Sequence, residues 1–320
     1  RYNRAEGLLL GAGASLRIAG LPIQGMGGFA FGPERPWAKL GSRWSMGSGE
    51  VRAEGFWNRT EDIGPIPGAS GVINSLATLG GEDYQDLYWT SGGSLAVTVP
   101  AGGRRRLRIA GTLQDVGSAA LSVDDEDTVF RPVLPVDEGT QALLDVTLEL
   151  PDLGDGPFGH LRLRGGTLDR GYLAAEVLTG WSRRGPARTV SAEVSLQGGW
   201  VDAAAPVQEL QLLGGRGTLP GFPYRGAVAD QYLVARGWVG RPVVAPWLSV
   251  RGTAAAGWSE LDRRAVPEGW VGDPDPGVRS SLGLGIDLLW ETLRFDVARG
   301  LPDGEWTLFV SIAPRFHSWL

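Results

Sequence analysis

Hydrophobic and polar residues alternate with a period of two through much of this chain, which places one set of side chains on each face of a strand. Leu282, Leu284, Ile286, Leu288 and Trp290 fall on one face, with Ser281, Gly283, Gly285 and Asp287 on the other. The same split sets Val190, Ala192, Val194, Leu196 and Trp200 against Thr189, Ser191, Glu193, Ser195 and Gln197. It also sets Leu144, Val146, Leu148 and Leu150 against Asp145, Thr147 and Glu149, and lines up Trp306, Leu308, Val310 and Ile312 near the end. The pattern predicts fifteen strands, around 7–18, 24–31, 38–46, 51–60, 88–99, 105–115, 141–150, 160–168, 172–182, 188–200, 231–241, 246–258, 278–290, 292–300 and 306–313. An odd count does not close an antiparallel barrel in the usual way. The segment Gly71–Leu79 is the candidate for the sixteenth strand, although it reads equally well as a short helix.

These strands run about nine to thirteen residues, whereas soluble strands average about five or six. A tilted membrane strand needs about 9–11 residues, an apolar outer face and a polar lumenal face. The polar faces here carry Gly, Ser and Thr together with Arg162, Arg164, Glu193, Asp287, Arg294 and Asp296. Connections follow the same logic. Short ones such as Gly20-Leu21-Pro22, Gly47-Ser48-Gly49 and Pro302-Asp303-Gly304 contrast with long polar ones near 60–86, 117–139, 202–230 and 260–277. Trp37, Trp57, Trp89, Trp181, Trp200, Trp258, Trp290 and Trp306 near strand ends suit interfacial girdles. The expected fold is therefore all-β: one transmembrane antiparallel barrel over residues 1–320, with sixteen strands preferred over fourteen.

Composition narrows the chemistry. Fifty glycines suit a wall of strands and turns, and the absence of cysteine removes disulfides, thiol nucleophiles and cysteine-ligated metals. A net charge of −6 with scattered basic residues argues against nucleic acid. No apolar run approaches the length of a transmembrane helix, and no charged and apolar leader opens the chain. With two histidines, a serine hydrolase has few options: His160 precedes a strand, while His317 and Ser318 are adjacent and so point to opposite faces. Asp124-Asp125-Glu126-Asp127 lacks the spacing of a calcium loop, and Gly102-Gly103-Arg104-Arg105-Arg106-Leu107-Arg108 lacks the lysine and helix of a phosphate loop. No catalytic residue, metal or cofactor is assigned.

One segment carries a resemblance. Leu213-Gly214-Gly215-Arg216-Gly217-Thr218-Leu219-Pro220-Gly221-Phe222-Pro223-Tyr224-Arg225-Gly226, followed by five candidate strands, resembles the long loop of BamA/TamA-type outer-membrane assembly and translocation barrels, the bacterial surface antigen family. Tyr2-Asn3-Arg4-Ala5-Glu6-Gly7 and Asn74-Ser75-Leu76-Ala77-Thr78-Leu79-Gly80-Gly81-Glu82-Asp83-Tyr84 also look like segments of such barrels. The resemblance implies a loop folded into the lumen, with Gly214, Gly215, Arg216, Gly221, Phe222, Tyr224 and Arg225 as its site residues. The family's loop arginine falls at Pro220 and its partner aspartate at Ala255, so both halves of that pair are missing, and Arg216 and Arg225 are the candidates to anchor the loop instead. No POTRA repeats are expected in this chain.

The implied function is insertion or translocation of protein or lipid at the bacterial outer membrane, without catalysis, by a monomer. Its implied partners are outer-membrane lipids, unfolded client β-barrel proteins and periplasmic domains or accessory proteins. A passive or plugged solute channel is the alternative. The seam is expected between strand 7–18, weakened by Gly7, Gly11 and Gly13, and the last strand, which runs from Trp306 and ends near Pro314.

Overall fold

The computed structural model describes residues 1–64, 71–123, 130, 133–184, 189–262, 266–267, 269–270, 277–289 and 292–312. Its strands are β1 (Tyr2–Asn3), β2 (Gly7–Ile18), β3 (Leu21–Ala30), β4 (Arg35–Met46), β5 (Gly49–Asp62), β6 (Leu87–Pro100), β7 (Arg106–Ser118), β8 (Gly139–Leu150), β9 (Asp155–Thr167), β10 (Gly171–Arg183), β11 (Ser191–Val201), β12 (Gln211–Leu213), β13 (Ala227–Ala229), β14 (Gln231–Val244), β15 (Leu248–Glu260), β16 (Gly277–Leu288), β17 (Leu293–Leu301) and β18 (Trp306–Ile312). Helix α1 (Gly71–Leu79) interrupts the series between β5 and β6. Sixteen strands form one sheet in which each pairs antiparallel with its sequence neighbour, and β11 passes directly to β14. The small ribbon β12–β13 stands apart within the connection 202–230.

All fifteen strands expected from the alternation are present. The sixteenth is not Gly71–Leu79, which is helical, but the two-residue β1 paired to the start of β2. Asn74 donates to Asp83 and accepts the Tyr84 N–H, and these contacts with the chain that follows go with the helical form of the segment.

Alternation sorts the faces as the sequence requires. Leu282, Leu284 and Ile286 are exposed to the outside, while Ser281 and Asp287 of the same strand are buried on the inside. Val194 and Leu196 are exposed where Ser195 and Gln197 are buried. Water would not tolerate so continuous an apolar exterior, but hydrocarbon does, and the fold is a transmembrane β-barrel. Trp57, Trp181, Trp200 and Trp306 lie on this outer face. Two expected girdle members turn inward instead. Trp89 packs with Ala5, Ala30 and Leu87, and Trp37 lies so close over the wall that a Cβ on Gly11 would come within 2.7 Å of its ring. Trp290 is outside the described residues.

Every connection at one end of the sheet is short, and all the long ones, 63–86, 119–138, 202–230 and 261–276, gather at the other end beside residues 1–6. Here lies an apolar core that belongs to loops more than to strands: Ile63, Leu134, Val136, Val207, Leu210, Leu212, Val228 and Trp270 pack with Tyr88 and Val116. The Trp270 indole N–H donates to the Pro135 carbonyl at 2.8 Å, which ties two of the long connections together. Closing one end in this way requires the sheet to curl, since the connection 202–230 touches walls as distant in the strand order as β5 and β17.

Candidate functional site

The connection 202–230 is held inside the barrel at three places. The first is a short 3-10 turn, Val207–Glu209, which presents a buried carboxylate to the wall. Arg164 on β9 donates from one guanidinium nitrogen to both Glu209 oxygens at 2.8 Å, and the Tyr172 hydroxyl on β10 donates to the same carboxylate at 3.1 Å. Arg164 is in turn oriented by Asp145 on β8 at 2.9 Å, an oxygen that Arg162 also reaches at 2.8 Å. These inward residues are strand neighbours, so the ladder register alone brings Asp145 opposite Arg164.

The second contact is made by the glycine-rich tip. Leu219 packs against Gly257 on β15, where an added Cβ would lie 3.0 Å from both its methyl carbons. Gly221 lies on the backbone of β17, and its carbonyl accepts the Glu305 N–H at 2.8 Å. A Cβ at Gly221 would fall 2.1 Å from the Gly300 nitrogen, and the residue has φ +84°. Only glycine meets both conditions. Gly214 and Gly215 likewise have positive φ, and Gly215 lies under the Tyr224 ring. Phe222 is half-buried, with Arg279 above its ring at 5.8 Å.

The third contact is the most buried and unites the three segments that carry the sequence resemblance. Arg225 donates to both Asp62 oxygens at 2.7 Å and to Asp86 at 2.8 Å. Arg4 reaches the other Asp86 oxygen at 2.6 Å, and its main-chain N–H donates to Asp83 at 2.7 Å. Asn74 of α1 donates to the second Asp83 oxygen at 3.0 Å. Tyr224 donates its hydroxyl to the Tyr84 carbonyl, and the two rings meet edge to face with centroids 4.9 Å apart. Arg4, Asn74, Asp83, Asp86 and Arg225 are all buried, so this network connects the opening residues, the α1 segment and the loop. Arg225 has φ +50°, a conformation that costs of order 1–3 kcal/mol for a non-glycine residue and persists because the ion pairs fix it. Burial opposes its charge, yet Asp62 above all, with Tyr224 and Asp86, holds its pKa above the ordinary arginine value.

Of the two arginines expected to anchor the loop, only Arg225 does so. Arg216 is open to the lumen and makes no hydrogen bond or ion pair among the described residues. Its pKa is lowered, first by desolvation within the enclosing lumen and then by Arg294 and Arg251, against the opposing pull of Asp296 and Asp287. Those wall groups are paired with each other, Arg251 with Asp296 and Arg294 with Asp287. His160 lies 3.5 Å from Glu176 on the inner wall. Asp124–Asp127, Pro314, His317 and Ser318 are outside the described residues.

No family model matches the sequence, and no curated protein does either. Solved structures do match. CdiB from Acinetobacter baumannii superimposes with a TM-score of 0.53 at 15% identity, over 94% of this chain and 55% of that one. BamA from Haemophilus ducreyi, in a form lacking POTRA domains 1–3, superimposes with a TM-score of 0.58 at 12% identity, over 97% of this chain and 67% of that one. The fold is that of a BamA-type barrel. This chain thus spans little more than half the length of the CdiB structure. Within the BamA-type fold its loop is seated differently from what the resemblance implies. Pro220 and Ala255 stand where a charged pair was expected, and apolar and main-chain contacts of Leu219 and Gly221 hold the tip to β15 and β17.

The sequence reading missed Asp62, Asp83, Asp86 and Arg4 as site residues, as well as Glu209 and Arg164. Arg4 and Asp83 lie within the segments that carry the resemblance, and the cluster of acidic positions between Gly80 and Leu87 was the available signal. Glu209 had none, because nothing local marks it as facing inward.

Proposed function

We propose that this chain is the membrane barrel of a protein that inserts or translocates protein or lipid across the bacterial outer membrane, with the loop 202–230 closing its lumen. One observation carries the reading: the loop is pinned to β5, to β9 and β10, and to β15 and β17 by buried ion pairs and close backbone contacts. A passage meant for free solute flow has no use for so thoroughly fixed an obstruction. Polar wall pairs such as Arg164–Asp145 and Arg251–Asp296 leave the lumen hydrophilic around the loop. Gly7, Gly11 and Gly13 on β2 and Trp306 on β18, the residues expected at the seam, stand on the two outermost long strands of the sheet, on either side of the place where the wall would part. Its partners would be outer-membrane lipids and unfolded barrel clients, the barrel acting as a monomer with periplasmic domains.

The test reconstitutes the purified protein in liposomes and in planar bilayers. Faster folding of a urea-denatured β-barrel client than into empty liposomes, with little steady ion conductance, is the expected result. A large, stable conductance with no effect on client folding overturns the reading in favour of a solute channel.

A further inference from the structure

Strand directions leave the barrel wall one strand short. β2 runs from the long-loop end to the short-turn end, and each later strand of the sheet reverses the one before it. Counting through the sheet, β18 also runs from the long-loop end to the short-turn end. The two outermost long strands are therefore parallel to each other, and the antiparallel seam expected between 7–18 and 306–313 is excluded by direction. Among the described residues no ladder joins them.

The edge of β2 shows what belongs there. Arg1 and Leu9 exchange both main-chain hydrogen bonds, at 3.0 and 2.8 Å, and Tyr2 and Asn3 sit opposite Leu8 and Gly7. Since Leu9 turns its N–H and carbonyl to this edge, Gly11, Gly13, Ser15 and Arg17 do the same, and among the described residues no ladder meets them beyond Leu9. In hydrocarbon each unsatisfied main-chain group costs several kcal/mol, which makes a bare edge of this length untenable. β1 is antiparallel to β2 and points away from the short-turn end, so extending it backwards along β2 supplies the missing direction.

We infer that the residues directly N-terminal to Arg1 in the natural protein form a strand of about nine residues that lies between β2 and β18, antiparallel to both, and that Tyr2–Asn3 is its end. The inference rests on strand direction and on the β1 ladder, and it holds whichever function the barrel serves. Register and facing follow. Partners in the β1–β2 ladder have numbers that sum to ten, so Ala14 lies opposite the fifth residue upstream of Arg1 and Leu16 opposite the seventh. Leu8, Leu10 and Leu16 face outward, so the first, third, fifth and seventh upstream residues are apolar, and the second, fourth and sixth, opposite Gly11, Gly13 and Ser15, are small or polar.

The chain has no cysteine of its own, which allows a clean crosslink. In the full-length protein, Ala14→Cys is combined with cysteine at the fifth upstream residue, a pair without mutual hydrogen bonds whose side chains approach closely. Heat-modifiable mobility on gels confirms folding, and trypsin digestion without reductant should release the peptide Ala5–Arg17 linked to the one ending at Arg1. Leu16→Cys with the seventh upstream residue should behave alike, and Leu40→Cys on β4 should not link. An upstream sequence without the alternation overturns the inference. So does folded protein with no linked peptide from either pair, or linkage of Ala14→Cys to a cysteine on β18 instead.

Discussion

Arg4 and Arg225 share one carboxylate, Arg4 on one oxygen of Asp86 at 2.6 Å and Arg225 on the other at 2.8 Å. All three side chains are almost wholly buried. Asp86→Asn would leave two buried guanidiniums facing each other with less compensation, and removing one member of a buried network typically costs about 3–5 kcal/mol. Thermal unfolding in detergent should therefore show a larger loss for Asp86→Asn than for Arg4→Met, which leaves Asp86 its Arg225 partner. Equal losses would mean that Asp86 does not bridge the two.

Glu209→Gln weakens the first anchor while leaving the wall pair Arg164–Asp145 in place. Barrel stability should change little, since β8 and β9 keep their ladder. The loop should loosen, and single-channel recordings should show more frequent and larger conductance bursts than the parent protein. Recordings indistinguishable from the parent would place the obstruction elsewhere.

Gly221→Ala is a test of the tip. The added methyl meets the Gly300 nitrogen at 2.1 Å, and neither backbone has a flexible side chain that can yield. Overpacking of this kind costs about 1–3 kcal/mol, here drawn from loop docking. Limited proteolysis from the long-loop side should cut between Gly214 and Gly226 many times faster, with the strands intact.

Leu282→Arg addresses the outer face. Leu282 is exposed in the middle of β16, and arginine on the lipid face near the midplane costs about 2–4 kcal/mol. Urea titration of folding into vesicles should register that loss, while the same substitution in a detergent with short chains should cost less.

The turn between β8 and β9 should respond to acid. Asp152 is partly desolvated, which raises its pKa, but the Gly154 N–H, the Ser182 hydroxyl and Arg184 together hold it below the ordinary carboxylate range. A depressed folded pKa gives stability that is present above the unfolded value, near 3.9, and is lost as pH falls through the folded one. Asp152→Asn should remove that part of the acid sensitivity below about pH 4, seen as a flatter midpoint-against-pH curve. An unchanged curve would show that the turn contributes nothing to it.

The sequence by itself determined the wall. Alternation is a property of neighbouring residues, and because the strand period is two, each of the fifteen segments could be placed and faced without knowing its partners. It also located the long connections and, through its glycines and aromatics, the loop that folds inward. It left Gly71–Leu79 open between helix and strand, since nine residues satisfy either period and only the packing of Asn74 on Asp83 beside Arg4 decides. Tertiary structure alone decided which of the polar residues act together. Arg4, Asp62, Asp86 and Arg225 come from four separate parts of the chain, and their charges look like ordinary loop charges until burial removes water and makes each one depend on the others. The count of fifteen already set the first and last long strands parallel, but only the pairing of Tyr2–Asn3 with Leu8 and Gly7 showed which edge takes the sixteenth, because a ladder partner leaves no mark in a strand's own alternation.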